Sequence, residues 1–223
     1  MLFRKEKIVS LCKNKSVLHL GFVQHSDQFM DMINKGTWLH EMIDTVSSKL
    51  VGLDFLNKEV NFLKENYGYE AYYADVTKLE DVELEEKFDV IVCGELIEHL
   101  DNPGLMLDGI KRFMHEDSLL IITTPNPWSK NRLKLINRQV LESSWLNPEH
   151  TCWFSYQTLK QLLERYAYVE DFYGYSDGHT SNEFYTVFKS PLLNKIKALK
   201  IKIFKTPKIN SNGLFFVAKL PKI

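Results

Sequence analysis

Residues 88–104, FDVIVCGELIEHLDNPG, restrict the fold of this chain more than any other stretch. Positions 88–93 form a short apolar run, the pattern of a strand buried on both faces of a parallel sheet. Gly94 then turns the chain into the polar segment Glu95-Leu96-Ile97-Glu98-His99. Pro103 stands where a helix can begin, with Asn102 as its N-cap. An apolar strand that ends in an acidic, histidine-bearing loop is where an open α/β sheet places its ligands.

Short apolar runs alternate with helical periodicity on both sides of this stretch, which predicts βαβ units. Residues 17–20, 50–53, 70–73, 88–93 and 118–124 read as five successive strands. Thr37 can cap a helix whose face is Leu39, Met42, Ile43 and Val46. Leu56, Val60, Leu63 and Tyr67 follow helical spacing up to Gly68. Ser155 can cap a further helix bearing Leu159, Leu162, Leu163 and Tyr166, and residues 168–175 and 214–220 read as two closing strands. Right-handed crossovers wind these into one doubly wound, mainly parallel seven-stranded sheet with helices on both faces. Residues 125–151 lack clear periodicity and hold three prolines and two tryptophans, which predicts a lid or binding loop.

A length of 223 residues fits a single domain, 1–223, with a sizeable core. No apolar run is long enough for a membrane span, and no signal-peptide core is read at the start. Three cysteines, Cys12, Cys93 and Cys152, have no paired spacing; they suit a reducing cytoplasm and carry no metal-site signature. Cys93 reads as a small core residue. Residues 189–208 carry seven lysines and no acid, so a total of −1 leaves the rest of the chain at −8. Leu192, Leu193, Ile196, Leu199, Ile203 and Phe204 can form an apolar stripe among those lysines. Such a segment can pack on its own domain, lie on an anionic membrane surface, or meet an anionic glycan or nucleic acid.

Four segments at successive strand ends resemble class I S-adenosylmethionine-dependent methyltransferases of the small-molecule or surface-glycan kind. The opening stretch is similar to that family's FDVVxxxEVLEHLxNP segment. VLHLGFVQHS, at 17–26, falls where the family reads VLDLGCGTG; Gly21 is kept, while His19, Val23 and His25 depart from the pattern. LVGLDF ends in Asp54, and YYADVTKLED carries Asp75. The resemblance implies a Rossmann-like fold and S-adenosyl-L-methionine as cofactor. Gly21 and Phe22 would approach its methionine part, Asp54 and Phe55 its ribose, and Asp75 and Val76 its adenine. Gly94, Glu95, Leu96 and His99 would line the channel. Glu98 reads equally well as a site carboxylate or a helix-start charge.

NPEHTCWFSYQTL, at 147–159, is similar to the family's PEHxxxFS segment. His150 is therefore the candidate base or acceptor contact, with Glu149 as its orienting partner; His25 and His99 are competing bases, and a structural turn histidine is the plain alternative. A hydroxyl acceptor gains from such a base, whereas an amine or carbanion does not need one. The expected reaction is O-methylation of a small molecule or sugar. A cofactor-binding or regulatory module without turnover and an RNA methyltransferase are the rival expectations. No strong nucleic-acid signal and no oligomeric interface is read from the sequence.

Overall fold

The computed structural model describes residues 2–24, 28–141, 147–178 and 209–221. The lysine-rich stretch, His25 and Trp145 lie outside them. The strands are β1 (Leu2–Phe3), β2 (Ser16–Leu20), β3 (Lys49–Asp54), β4 (Ala71–Tyr73), β5 (Phe88–Gly94), β6 (Met114–Pro125), β7 (Val169–Gly178) and β8 (Gly213–Lys219). They form one sheet in the order β1-β7-β8-β6-β5-β2-β3-β4. Pairing is parallel throughout except at β8, which runs antiparallel between β6 and β7. The seven expected strands are all present, and the two-residue β1 adds an eighth beside β7.

The topology explains where a site can form. From β2 the chain moves outward through β3 to β4, then returns to pair β5 on the other side of β2. Strand order therefore reverses at β2, and the C-terminal ends of β2 and β5 open a crevice there. Side chains alternate between faces, as the pleat requires. Leu18, Leu20, Ile91 and Cys93 join one core cluster with Met106, Leu107, Leu159 and Leu163. Val17, Val90 and Val92 join a second with Ile8, Cys12, Leu39 and Ile43.

The helices are α1 (Arg4–Cys12), α2 (Phe29–Asn34), α3 (Leu39–Asp44), α4 (Asn57–Tyr67), α5 (Pro103–Gly109), α6 (Lys130–Asn137) and α7 (Tyr156–Arg165). In α4, Val60 and Leu63 are buried, and Gly68 closes the helix at φ +73°, the left-handed conformation glycine adopts without strain. A reciprocal pair of hydrogen bonds between Ser155 and Thr158 caps α7, which buries Leu159 and Leu163. Each such leucine contributes about 1.5–3 kcal/mol of burial.

Three local expectations change. Trp38, not Thr37, occupies the cap of α3; the Thr37 hydroxyl donates to the Met32 carbonyl instead. Asn102 precedes α5 without a side-chain cap bond, and Pro103 opens that helix as expected. Residues 125–151 are not wholly irregular, because Ser129 accepts from the Arg132 backbone N–H and starts α6. None of the α6 residues is buried, so the helix had no apolar periodicity to betray it.

His19 sits in the central strand and is 1% exposed. Its Nδ1 lies 3.2 Å from Nδ1 of the fully buried His40, and the rings stack at 5.4 Å. That contact needs one ring to donate and the other to accept, so the accepting ring is neutral. Burial, aided by the Arg4 charge, pushes His19 down to about 3; burial and then His19 hold His40 well below its usual range. An unfolded imidazole titrates near 6.5. Below that pH the unfolded chain binds protons that the folded pair refuses. The folded state therefore loses up to about 1.4 kcal/mol per pH unit per ring on acidification, and nothing above pH 6.5. Imidazole ring-proton shifts in NMR, which isolate this pair from other titrating groups, should stay at neutral values for both rings from pH 7.5 to 5. A midpoint near 6.5 for either ring would contradict this packing.

Candidate functional site

The chain leaves β2 through Gly21, whose φ is +64° and whose N–H donates to the Leu53 carbonyl at 2.8 Å. A Cβ at this position would stand 3.1 Å from Leu96 Cδ1, so the turn after β5 packs directly on bare backbone. The next two residues are fully buried. Phe22 lies over Gly52 of β3, where a Cβ would come within 2.7 Å of its ring, and its carbonyl accepts from Trp38 Nε1 at 3.0 Å. The Phe22 side chain thus belongs to a core cluster with Trp38, Val60 and Leu63. Only its backbone is left for the ligand contact expected of it.

Asp54 ends β3 and is 6% exposed. Its Oδ2 accepts from Val23 N at 2.9 Å and its Oδ1 from Leu56 N at 3.0 Å, which ties the loop after β2 to the start of α4. Burial raises this carboxyl, and backbone hydrogen bonds from Val23, Leu56 and Phe55 oppose the rise. Beside it, Phe55 and Tyr73 expose their rings at 67% and 56%. Asp75 accepts from the Thr77 hydroxyl at 2.7 Å and the Thr77 N–H at 2.9 Å, bonds that lower its carboxyl. Val76 is buried in the core with Leu79 and Leu84, so it offers a ligand backbone groups rather than an apolar edge.

The loop after β5 divides its residues between two sides. Gly94 faces Arg4, Leu39 and Thr123, and Leu96 faces Gly21. Glu95 holds φ +56°, a left-handed conformation that costs a non-glycine residue about 1–3 kcal/mol and that clusters at functional sites. Glu98 is 2% exposed, and neither carboxylate oxygen has a hydrogen-bond partner among the described residues. Burial, with the Glu95 charge beside it, pushes this carboxyl up to about 8; Thr124 and Arg4 partly oppose the rise, although Thr124 Oγ1 lies outside hydrogen-bond geometry.

The Glu98 carbonyl accepts from Thr151 N at 2.8 Å and Cys152 N at 3.1 Å, which pins the 147–152 turn to this loop. His99 and His150 then meet edge to face, with ring centroids 4.7 Å apart. Glu149, expected beside His150, has its Oε2 3.9 Å from His99 Nδ1. One ligand atom from each of Glu98, His99 and His150 lies within 4.8 Å of the others.

On the far side of Glu95, a cavity of about 210 Å³ is lined by Arg4, Pro125, Arg132, Ser176, Asn212 and Gly213. Arg132 donates to the Asn126 carbonyl at 2.8 Å and lies 4.3 Å over the Trp153 ring. Asn126 is fully buried and donates to the Ile209 and Ser211 carbonyls. The front of the expected lid is thereby tied to the start of β8.

The cofactor expected from the resemblance fits these residues. Gly21 presents bare backbone at the switch point. The backbone bonds to Asp54 from Val23, Leu56 and Phe55 use three of the about four lone pairs of its carboxylate, which leaves capacity for one hydroxyl. Of the expected site residues, the fold brings Gly21, Asp54, Gly94, Glu95, Leu96, His99 and His150 to one end of the sheet, with Phe55 and Asp75 at its β3–β4 side. Sequence reasoning missed Arg4, Arg132, Trp38 and His40. Arg4 and Thr123 are 119 positions apart, and no local pattern links them.

An open sheet with its switch point beside a glycine turn and a strand-end aspartate defines a Rossmann-like, cofactor-binding α/β protein. Residues 34–169 match the model of a methyltransferase domain, and the chain belongs to that family. A ubiquinone biosynthesis O-methyltransferase of Glaesserella parasuis is 41% identical over 51 residues, 23% of this chain and 22% of that protein. One from Haemophilus ducreyi is 27% identical over 100 residues, 41% of this chain and 42% of that protein. The chain thus matches less than half the length of these curated relatives. A SAM-dependent methyltransferase from Aquifex aeolicus superposes with a TM-score of 0.58 at 14% identity, covering 99% of this chain and 91% of that one. Magnesium protoporphyrin IX methyltransferase from Synechocystis, solved with bound SAH, gives 0.54 at 11%, covering 97% and 82%. At these identities the likeness is one of fold.

Gly21→Ala should destabilise the protein by roughly 1–2 kcal/mol from the left-handed backbone alone, with a further loss as Leu96 is displaced. Denaturant unfolding would show it, and an unchanged midpoint would contradict the packing described.

Proposed function

We infer that this protein is an enzyme that methylates a hydroxyl group of a small-molecule or sugar acceptor, with S-adenosyl-L-methionine as donor. The observation that carries the reading is the set Glu98, His99 and His150 beside the switch-point crevice. A hydroxyl must lose its proton as it gains a methyl group, and a buried carboxyl with two imidazoles is a set able to assist that loss. When bound, the cofactor supplies an electrophilic methyl on a sulfonium, so no difficult bond activation falls to the protein.

The protein's own work is then to position and to accept a proton. Gly21, Asp54 and Leu96 hold the cofactor side. The cavity by Glu95 suits the acceptor: Arg4, Arg132 and Asn212 make its wall polar, as a sugar or hydroxylated small molecule requires. At about 210 Å³ it lies below the roughly 300–1,000 Å³ of sites for drug-sized ligands, which favours a small acceptor group. The Trp153 ring lies against the Arg132 guanidinium that lines this side. Tight placement of the hydroxyl supplies much of the rate in such transfers. Surface-glycan biosynthesis in the cytoplasm is the setting we favour, because seven lysines in 189–208 suit anionic or lipid-linked glycans and a membrane-peripheral contact.

Calorimetric titration with S-adenosylhomocysteine tests the donor, and a folded protein that fails to bind it removes the reading. Asp54→Ala should weaken that binding by about 2 kcal/mol or more, since a desolvated charged hydrogen bond is lost. His150→Ala should lower turnover by roughly 10²–10⁴-fold while the affinity for S-adenosylhomocysteine changes little. Turnover can be followed as S-adenosylhomocysteine released on cell extract. Binding without any release would turn the reading to a non-catalytic cofactor-binding module.

A further inference from the structure

We propose that Glu98, His99 and His150 form a divalent-cation site, with one carboxylate oxygen and one ring nitrogen from each histidine as ligands. Their donor atoms already lie within 4.8 Å of one another. Metal bonds to such donors are roughly 2.0–2.2 Å long, so two ligands of one ion stand at most about 4.4 Å apart. Small side-chain rotations close that gap.

The second observation is the state of Glu98. It is 2% exposed, and both its oxygens lack hydrogen-bond partners among the described residues. A buried carboxyl in that condition is costly to keep and is stabilised by a cation. The arrangement is also built in advance. The Glu98 main chain holds Thr151 and Cys152, so the residue that carries the carboxylate fixes the turn that carries His150. Sequence separation hid this, because the ligands come from the β5 loop and from a turn about 50 positions later.

The charges around the set balance, which leaves the set's own Glu98 as the net negative charge facing a cation. Glu95 and Glu149 add carboxylates beside it, against the guanidinium groups of Arg4 and Arg132. Two imidazoles and a carboxylate suit zinc, manganese or ferrous iron better than magnesium or calcium, which prefer all-oxygen shells. Three protein ligands leave a coordination position open, the usual form of a catalytic rather than a structural site. Resting on the methyl-transfer reading, that position would receive the acceptor's hydroxyl oxygen, and the cation would lower its pKa. The set would then assist proton loss through the metal rather than by direct proton transfer to an imidazole.

The test uses the untagged full-length protein, stripped with a chelator and titrated calorimetrically with zinc and with manganese at pH 7. One ion per chain is expected for at least one of the two metals. Glu98→Gln and His99→Ala should each weaken its binding at least tenfold. Thermal melting and circular dichroism, measured on the same samples, show that each variant is folded, and S-adenosylhomocysteine is titrated into the wild type alongside; His99 is the safer change because it is partly exposed. No ion bound by the wild type, or equal binding by both folded variants, overturns the proposal. Failure of the wild type to bind S-adenosylhomocysteine while it binds the ion would instead overturn the methyl-transfer reading and leave the cation site standing.

Discussion

The parallel pairing of β2 with β5 is the constraint on which the site depends. Val17 to Leu20 lie in register with Val90 to Cys93, so both strands end at the same level. Their exits therefore share one crevice, and Leu96 leaving β5 packs on Gly21 leaving β2. Neither loop could hold its conformation alone. Gly21 and Glu95 both adopt positive φ, and the backbone of each is anchored to a neighbouring strand, at Leu53 and Thr123.

Around that crevice the two sides are built from different materials. The β2–β3 side is mostly backbone, organised by one buried carboxylate, Asp54, that gathers N–H groups from two loops. The β5 side is mostly side chains: Glu95, Glu98, His99, His150, Arg4 and Arg132. Four carboxyl and guanidinium groups and two imidazoles in so small a volume perturb one another, and the Glu98 carboxyl shows the effect most strongly. The fold tolerates this because two main-chain hydrogen bonds to Glu98 hold the opposing turn in place.

The departures from the glycine-rich pattern have a packing explanation. Where the family pattern VLDLGCGTG reads small residues, this chain places Phe22 and Val23, and both join a core cluster with Trp38. His19 likewise turns inward to stack on His40. The loop is thus a packed element, braced by the Trp38 indole on the Phe22 carbonyl. The altered residues change what supports the turn while Gly21 keeps its bare backbone.

Much of the architecture was legible in the sequence because strands buried on both faces must be apolar throughout, as at residues 88–93, and amphipathic helices must repeat, as in α4 and α7. Gly21, Asp54 and the Glu95–His99 loop stood out because the segments ending these strands resemble those of class I methyltransferases. The helix α6 was invisible because it buries nothing. Arg4, Arg132 and the partnership of Glu98 with His150 were also beyond reach, since contacts between distant positions leave no periodic trace. What the sequence alone determined was the succession of seven strands along the chain and the class of fold, because hydrophobic patterning is local. Only the tertiary structure decided which charged groups meet there, because that depends on where β5, α6 and the 147–152 turn are brought together in space.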